Sequence, residues 1–302
     1  MISSPRIGLD IGGTKIEGIA LDTAGEITAR RVVATVPGPA GVLGASAELV
    51  RALAAESGAQ VADYAGVGIG IPGQVDRDSG TVRNAYNMGL SSLALGPELS
   101  ARVGIPVRVD NDVTAASIGA VHVMGLDGTV AYLNLGTGLA AGMTVDGLPI
   151  RGTDGFAGEI GHLPIDPRGR ACPCGQFGCL ETVASGSALK AHWPAGGEHP
   201  GRTLNEAVAA GDADAKLARD YLIEGAANAT RVLGLTVNPG AVVIGGGLRL
   251  LGDPLVSGIR AQLREWAAAS EFIAALGLAD RLRVLPADSP AAAIGAAIAI
   301  NE

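Results

Sequence analysis

The feature that most restricts the fold is a strand–glycine turn–strand unit that occurs twice, about half a chain apart. Ile7, Leu9 and Ile11 alternate, Gly12-Gly13-Thr14 interrupts the run, and Ile16 to Leu21 resumes it. In residues 129–146, Val130, Tyr132-Leu133 and Leu135 lead to Gly136-Thr137-Gly138, and Ala140 to Val145 follow. The repetition suggests a duplicated architecture. Between the two units the pattern predicts a helix over 41–57, a buried strand over 65–71, a helix over 97–103 and a strand over 106–109. That alternation predicts an α/β fold. Further on, residues 204–235 read as mainly helical, and a short buried strand, 241–244, runs into Gly245-Gly246-Gly247. Helices over 253–270 and 290–300 close the chain, the last with Ser289 as N-cap and Pro290 at the first helical position.

With 302 residues, 48% of them hydrophobic and 17% charged, the chain can bury a large core and is long enough for two domains. Its 46 glycines and 3% aromatics predict close backbone approaches in place of large rings. A net charge of −8 and the lack of any Lys/Arg run argue against nucleic acid as a main partner. Met1 to Arg6 contain no apolar signal core, and no apolar run approaches the roughly 20 residues of a membrane span. The expectation is a soluble, cytoplasmic protein without a membrane partner.

Two glycines in Leu9-Asp10-Ile11-Gly12-Gly13-Thr14-Lys15 let backbone N–H groups face an anion, and Thr14 adds a hydroxyl donor. Asp10 is then placed to position the magnesium that accompanies ATP. Alone, the heptapeptide reads first as an ordinary hairpin with a surface acid. Leu135-Gly136-Thr137-Gly138 changes the balance, because two such turns can grip the two ends of a polyphosphate. Gly68-Ile69-Gly70-Ile71-Pro72-Gly73 satisfies the dinucleotide-binding spacing, but Pro72 falls in the turn and no helix pattern follows. No P-loop motif occurs.

All three cysteines, Cys172, Cys174 and Cys179, lie within eight residues, an odd count and a poor disulfide framework. Together with His162 they supply four ligands for a closed tetrahedral zinc site, structural because no coordination position stays open for a reacting water. Such a site would draw Glu159 and Glu181 toward one place, where both can accept hydrogen bonds from hydroxyls. His122, His192 and His199 have no comparable neighbours. Upstream, Asp110-Asn111-Asp112 sits between a strand and a helix, where acids are often caps.

The paired turns resemble the phosphate motifs of the actin, Hsp70 and hexokinase superfamily. Within it the chain resembles the repressor, open-reading-frame and kinase (ROK) family from Ile7 to the final helix, with the motifs in the family's order. The resemblance implies an α/β, two-domain actin/hexokinase/Hsp70-like (ribonuclease H-like) fold with a ligand cleft between domains. Its expected division is 1–112, with the 290–302 helix packing back on it, and 113–289, which contains the zinc loop.

Mapped on the family, Asp112 is the base that accepts the proton of a sugar hydroxyl. Asn111, Asn87, Glu159, His162 and Glu181 bind the sugar, and Gly73 borders it. The family's histidine serves both zinc and sugar. Asp10, Gly12, Gly13, Thr14 and Lys15 with Gly136, Thr137 and Gly138 hold the phosphates, and Gly245, Gly246 and Gly247 face the adenosine. Two departures stand out: Asp110 replaces a frequent Glu, and Leu90-Ser91-Ser92 follow Asn87 where many glucokinases carry a tryptophan.

The implied activity is ATP-dependent phosphorylation of the 6-hydroxyl of a hexose, glucose first, at the entry to glycolysis. An N-acetylglucosamine or N-acetylmannosamine kinase is the alternative, and polyphosphate is a further possible donor. A sugar-responsive regulator is the reading from another class. The nine residues before Asp10 are too few for a DNA-binding helix-turn-helix. The family also implies a homodimer or homotetramer.

Overall fold

In the computed structural model of the chain, residues 4–301 are described; Met1–Ser3 of the expected leader-free start and Glu302 of the expected last helix lie outside them. The chain forms two compact units, residues 1–125, 147–157 and 289–302 in one and residues 126–146 and 158–288 in the other.

The first unit is built on β1 (Arg6–Ile11), β2 (Lys15–Leu21), β3 (Ile27–Ala34), β4 (Val67–Ile71) and, later in the chain, Val107–Asn111. The sheet order is β3-β2-β1-β4 and then Val107–Asn111, antiparallel in the β1–β2–β3 meander and parallel across β1, β4 and Val107–Asn111. Gly8, Gly68 and Arg108 stand level across the parallel strands, which sets Asp10, Gly70 and Asp110 level at their carboxyl ends. Helix α1 (Pro39–Glu56) buries Val42, Leu43, Leu49, Val50 and Leu53 on one face of the sheet. A second, three-stranded sheet is formed by β5 (Gln74–Asp76), β6 (Thr81–Ala85) and β7 (Leu90–Leu93). The dinucleotide-like glycine run therefore lies on β4 and leads into a strand, with no helix at its end.

Helix α2 (Leu95–Val103) precedes the strand Val107–Asn111, which is β8, and α3 (Asp112–Met124) follows it directly. The closing helix, Ala291–Ile298, covers the other face of the sheet, where Ala293, Ile294 and Ala297 meet Ile19 and Leu21. It approaches closely enough that no side chain fits between. A Cβ on Gly8 or Gly68 would overlap the Ala293 or Ala296 carbonyl, and one on Gly119 of α3 would overlap that of Ala291. The contact is reciprocal, since a Cβ on Gly295 would strike the Ala115 carbonyl. The first unit therefore runs to Gly125, one helix beyond the boundary expected at 112, because α3 lies against the closing helix.

The closing helix also corrects its expected cap. It starts at Ala291 with Pro290 as N-cap, and the buried Ser289 hydroxyl has no hydrogen-bond partner. At φ −82° and ψ 51° Pro290 stands outside the helix, so Ser289 is one residue too early to cap it.

The second unit repeats the order of strands. β9 (Thr129–Leu135) and β10 (Leu139–Val145) form the antiparallel hairpin, Ala241–Gly245 runs parallel to β9, and Leu282–Val284 runs parallel to Ala241–Gly245. The sequence β10-β9-(241–245)-(282–284) matches β2-β1-β4-β8 of the first unit. Residues 204–235 divide into helices Leu204–Ala209 and Ala213–Thr236, because Gly211 adopts φ 88° and Asp212 caps the second by accepting from Asp214 and Ala215 N–H, both at 2.9 Å. Among the described residues no helix is long and apolar enough to cross a membrane.

The glycine contacts yield opposite expectations for two Gly→Ala changes. Gly119→Ala forces α3 off the closing helix and lowers unfolding free energy by about 1–3 kcal/mol. Gly44 lies in α1 with open space where a Cβ would go, so Gly44→Ala raises it by about 0.5–1 kcal/mol. Urea unfolding midpoints of the two variants against the wild type measure both signs.

Candidate active site and metal centre

In the first unit, the Gly12-Gly13-Thr14 turn is held from the side. Gly12 N–H donates to the Lys15 carbonyl at 2.9 Å, the Thr35 hydroxyl donates to the Gly12 carbonyl at 2.6 Å, and Thr35 N–H donates to the Thr14 carbonyl at 3.0 Å. The structure also places Asn87 against this turn, with its side-chain nitrogen 3.1 Å from where a Cβ on Gly13 would lie. Gly73 adopts φ 106°, a conformation that glycine takes without strain, as the chain turns from β4 toward β5.

Asp112 is the first residue of α3, one of its carboxylate oxygens accepting the Val113 N–H at 3.0 Å. The helix start lies close on β4, since a Cβ on Gly70 would come 3.4 Å from the Asp112 Cα. Burial, then the charges of Asp112 and Glu17, raise the Asp10 carboxyl to about 7, with Lys15 opposing them. An anion-rich corner of this kind favours a divalent cation.

Asn111 is also the cap of α3. Its side-chain oxygen is the N-cap acceptor for Val113 N–H at 2.9 Å and Thr114 N–H at 3.2 Å. That oxygen is committed to the helix, so Asn111 can serve a hydroxyl only as a donor through its amide nitrogen. Sequence reasoning also missed Arg77 and Arg151, which lie by the Asp110 carboxylate at 3.6 and 2.6 Å. The signal was available in principle, because a carboxylate at the end of a buried strand requires a cation or hydrogen-bond donors. These residues and Asn111, Gln74 and Phe156 line a cavity of about 500 Å³.

In the second unit, Gly136 N–H donates to the Gly138 carbonyl at 3.0 Å, and Gly186 and Ser187 N–H groups donate to the Gly136 and Thr137 carbonyls at 2.8 and 3.0 Å. Parallel pairing of Gly245 with Asn134 brings the three-glycine run beside this turn. The Tyr132 hydroxyl accepts the Gly246 N–H at 3.2 Å, and Gly246, at φ 73°, lies so close to the Leu135 backbone that a Cβ would overlap it. The structure thus joins the Gly136-Thr137-Gly138 turn and the glycine run, which the sequence held far apart.

Glu159, His162 and Glu181 also converge. His162 Nδ1 lies 3.7 Å from Glu181 Oε1, and Nε2 lies 4.0 Å from Glu159 Oε2. Glu181 reaches on to the end of the Gly136-Thr137-Gly138 turn, accepting the Leu139 N–H at 3.4 Å. Partial desolvation holds the Glu159 carboxyl above its ordinary value although its side chain remains 45% exposed, with His162 opposing the shift and Glu181 adding to it.

The ligand atoms of His162, Cys172, Cys174 and Cys179 all lie within 4.8 Å of one another. Cys174 Sγ and Cys179 Sγ are 3.7 Å apart, as are Cys172 Sγ and His162 Nδ1. Sulfurs bound tetrahedrally at zinc–sulfur distances of about 2.3 Å stand about 3.8 Å apart, so the four donors fit the metal. The chemistry fits as well. Gln176 hydrogen bonds draw the Cys174 thiol down to about 6, whereas burial pushes Cys172 up to about 12 and Cys179 upward. A divalent cation is what lets three crowded thiols ionise together. With Nδ1 on the metal side, His162 keeps Nε2 toward Glu159.

A model of the ROK family matches residues 6–302. The chain belongs to the ROK family. Its relatives include the glucokinase of Halalkalibacterium halodurans, 32% identical over 283 residues that cover 86% of each chain. The N-acetyl-D-glucosamine kinase of Escherichia fergusonii is 33% identical over 263 residues, 80% of this ROK chain and 83% of that protein. The ROK family glucokinase of Streptomyces griseus, solved in complex with glucose and AMPPNP, superposes with a TM-score of 0.80 at 32% identity, covering 98% of both chains. The fold is accordingly the α/β actin/hexokinase-like fold of ROK hexokinases.

The four-ligand geometry predicts about one zinc per chain in purified protein by elemental analysis. Cys174→Ser should lose most of that zinc and lower the thermal unfolding midpoint, because metal binding energy organises the loop. Wild-type protein free of zinc after purification without chelator would contradict it.

Proposed function

We propose that this ROK protein transfers the γ-phosphoryl group of ATP to the 6-hydroxyl of a hexose, glucose first. The observation that supports this most is the placement of Asp112 at the start of α3, in the same anionic corner as Asp10 and the Gly12-Gly13-Thr14 turn. A sugar hydroxyl is a weak nucleophile until a carboxylate orients it and accepts its proton. Asp112 takes that role: its carboxylate receives the O6 proton as the bond from O6 to the γ-phosphorus forms, and ADP departs. Asp10 would hold the Mg²⁺ that travels with ATP, whose chemistry is to neutralise phosphate charge. Lys15 and the backbone amides of Gly12 to Thr14 and of Gly136 to Gly138 bind phosphate oxygens, and Gly245 to Gly247 leave room for the adenosine.

For the sugar, the first unit offers Asn87, the Asn111 amide nitrogen and the Gly73 turn, and the second offers Glu159, His162 Nε2 and Glu181. Zinc on His162, Cys172, Cys174 and Cys179 would hold the last three in register without taking part in the transfer. The glucokinase relatives support glucose, while the N-acetyl-D-glucosamine kinase relative supports an N-acetylhexosamine as the second reading. A cytoplasmic homo-oligomer acting in carbohydrate metabolism completes the proposal.

Initial rates over glucose, mannose, N-acetylglucosamine and N-acetylmannosamine, each with ATP and with polyphosphate, separate these readings. The expected result is ATP-dependent turnover with the highest kcat/KM for glucose. Turnover of N-acetylhexosamines alone would replace the sugar assignment, and no turnover of any sugar would overturn the kinase reading.

A further inference from the structure

Asp110 precedes the cap residue Asn111 and is two residues before Asp112, yet its side chain is only 10% exposed. A carboxylate so little hydrated persists only when donors surround it. Here one oxygen accepts the N–H of Asn111 at 2.9 Å. The other accepts two N–H groups from Arg151, Nε at 3.0 Å and Nη2 at 2.6 Å, and lies 3.6 Å from Arg77 Nε. The cations are themselves tied down. Arg77 Nη2 donates to the Ala299 carbonyl at 2.9 Å, and the Arg151 carbonyl accepts the Ala157 N–H at 3.1 Å, which closes the 151–157 loop.

We propose that Arg151 is a positioning residue, which acts through Asp110 to fix the β8–α3 junction and with it Asn111 and Asp112. The inference rests on reading Asp112 as the base. Two physical effects carry it. The first is geometric: both prongs of the Arg151 guanidinium hold one oxygen of the Asp110 carboxylate while the other oxygen accepts the Asn111 N–H, so the carboxylate is held between the guanidinium and the β8–α3 backbone. A displacement there moves the next residue, and misplacing a reacting group by about 1 Å can cost on the order of 100-fold in rate. The second is electrostatic. Asp10, Asp110 and Asp112 stand at one end of the sheet, and Arg151 cancels the charge of the one with no part in the reaction.

The test compares Arg151→Gln and Arg151→Lys in the full chain, by steady-state kinetics with ATP and the sugar that the wild type phosphorylates, and by thermal unfolding. Arg151→Gln is expected to lower kcat by about 10- to 100-fold while KM for ATP stays within about twofold. Arg151→Lys should keep the wild-type unfolding midpoint and recover part of kcat, because an ammonium supplies the charge without the fork. Added guanidinium should raise the Arg151→Gln rate. Wild-type kcat in Arg151→Lys and in folded Arg151→Gln would overturn the inference. So would equal kcat losses in both that track a fall in unfolding midpoint. If Arg151→Gln does not fold, Asp110→Asn takes its place with the same expected kcat loss, and wild-type kcat there overturns the proposal. A wild type that phosphorylates no sugar would instead defeat the kinase reading.

Discussion

Backbone contact between the closing helix and the first unit is the constraint on which the rest depends. Gly8 on β1, Gly68 on β4 and Gly119 on α3 each face a carbonyl of Ala291–Ile298 with no space for a Cβ. Dispersion between such surfaces accumulates over many atoms at small separation, which larger side chains would forfeit. The residues that join here are nearly 300 positions apart at their extremes, so the ends of the chain determine where α3 lies. Because Asp112 is the first residue of α3, its position is inherited from that packing.

The second unit reaches its chemistry by another route. Residues 158–181 contain only brief 3₁₀ turns, too little regular structure to hold three polar side chains by packing. Four side chains that could hold a metal ion cluster there in place of a core, and Gly158 and Gly161 allow the segment to lie directly against the carbonyls of Ala141 and Leu139. Glu181 then links the His/Cys loop to the Gly136-Thr137-Gly138 turn through Leu139. One segment thus connects the proposed sugar contacts with the proposed phosphate contacts.

The two hairpins, β4 and α3 were legible because each carries an uninterrupted apolar signal beside a glycine or a cap. Strand β3 was not: in Ile27–Ala34 only Ala29 is fully buried, and an exposed edge strand gives little periodicity to read. The three short strands between 74 and 93 were missed for a similar reason, since five-residue or shorter runs broken by turns resemble loops. At the candidate site, the polar residues could be singled out from the sequence, whereas their hydrogen-bonding commitments could not. The sequence shows the Asn111-Asp112 pair but not that the Asn111 oxygen caps α3, and nothing near Asp110 in sequence announces Arg151. Long-range pairing of polar groups has no periodic trace. The clustering of His162 with the three cysteines was legible because the cysteines are close in sequence and occur nowhere else in it.

The claim that binds these parts together is that Asp112 performs the proton transfer while other groups hold the sugar. Calorimetric titration of glucose into Asp112→Asn, paired with its single-turnover rate of phosphoryl transfer from ATP, addresses that claim directly. The account predicts glucose affinity within about tenfold of the wild type and a transfer rate lowered by at least about 100-fold, the loss expected when a general base is removed. A transfer rate equal to that of the wild type would contradict it.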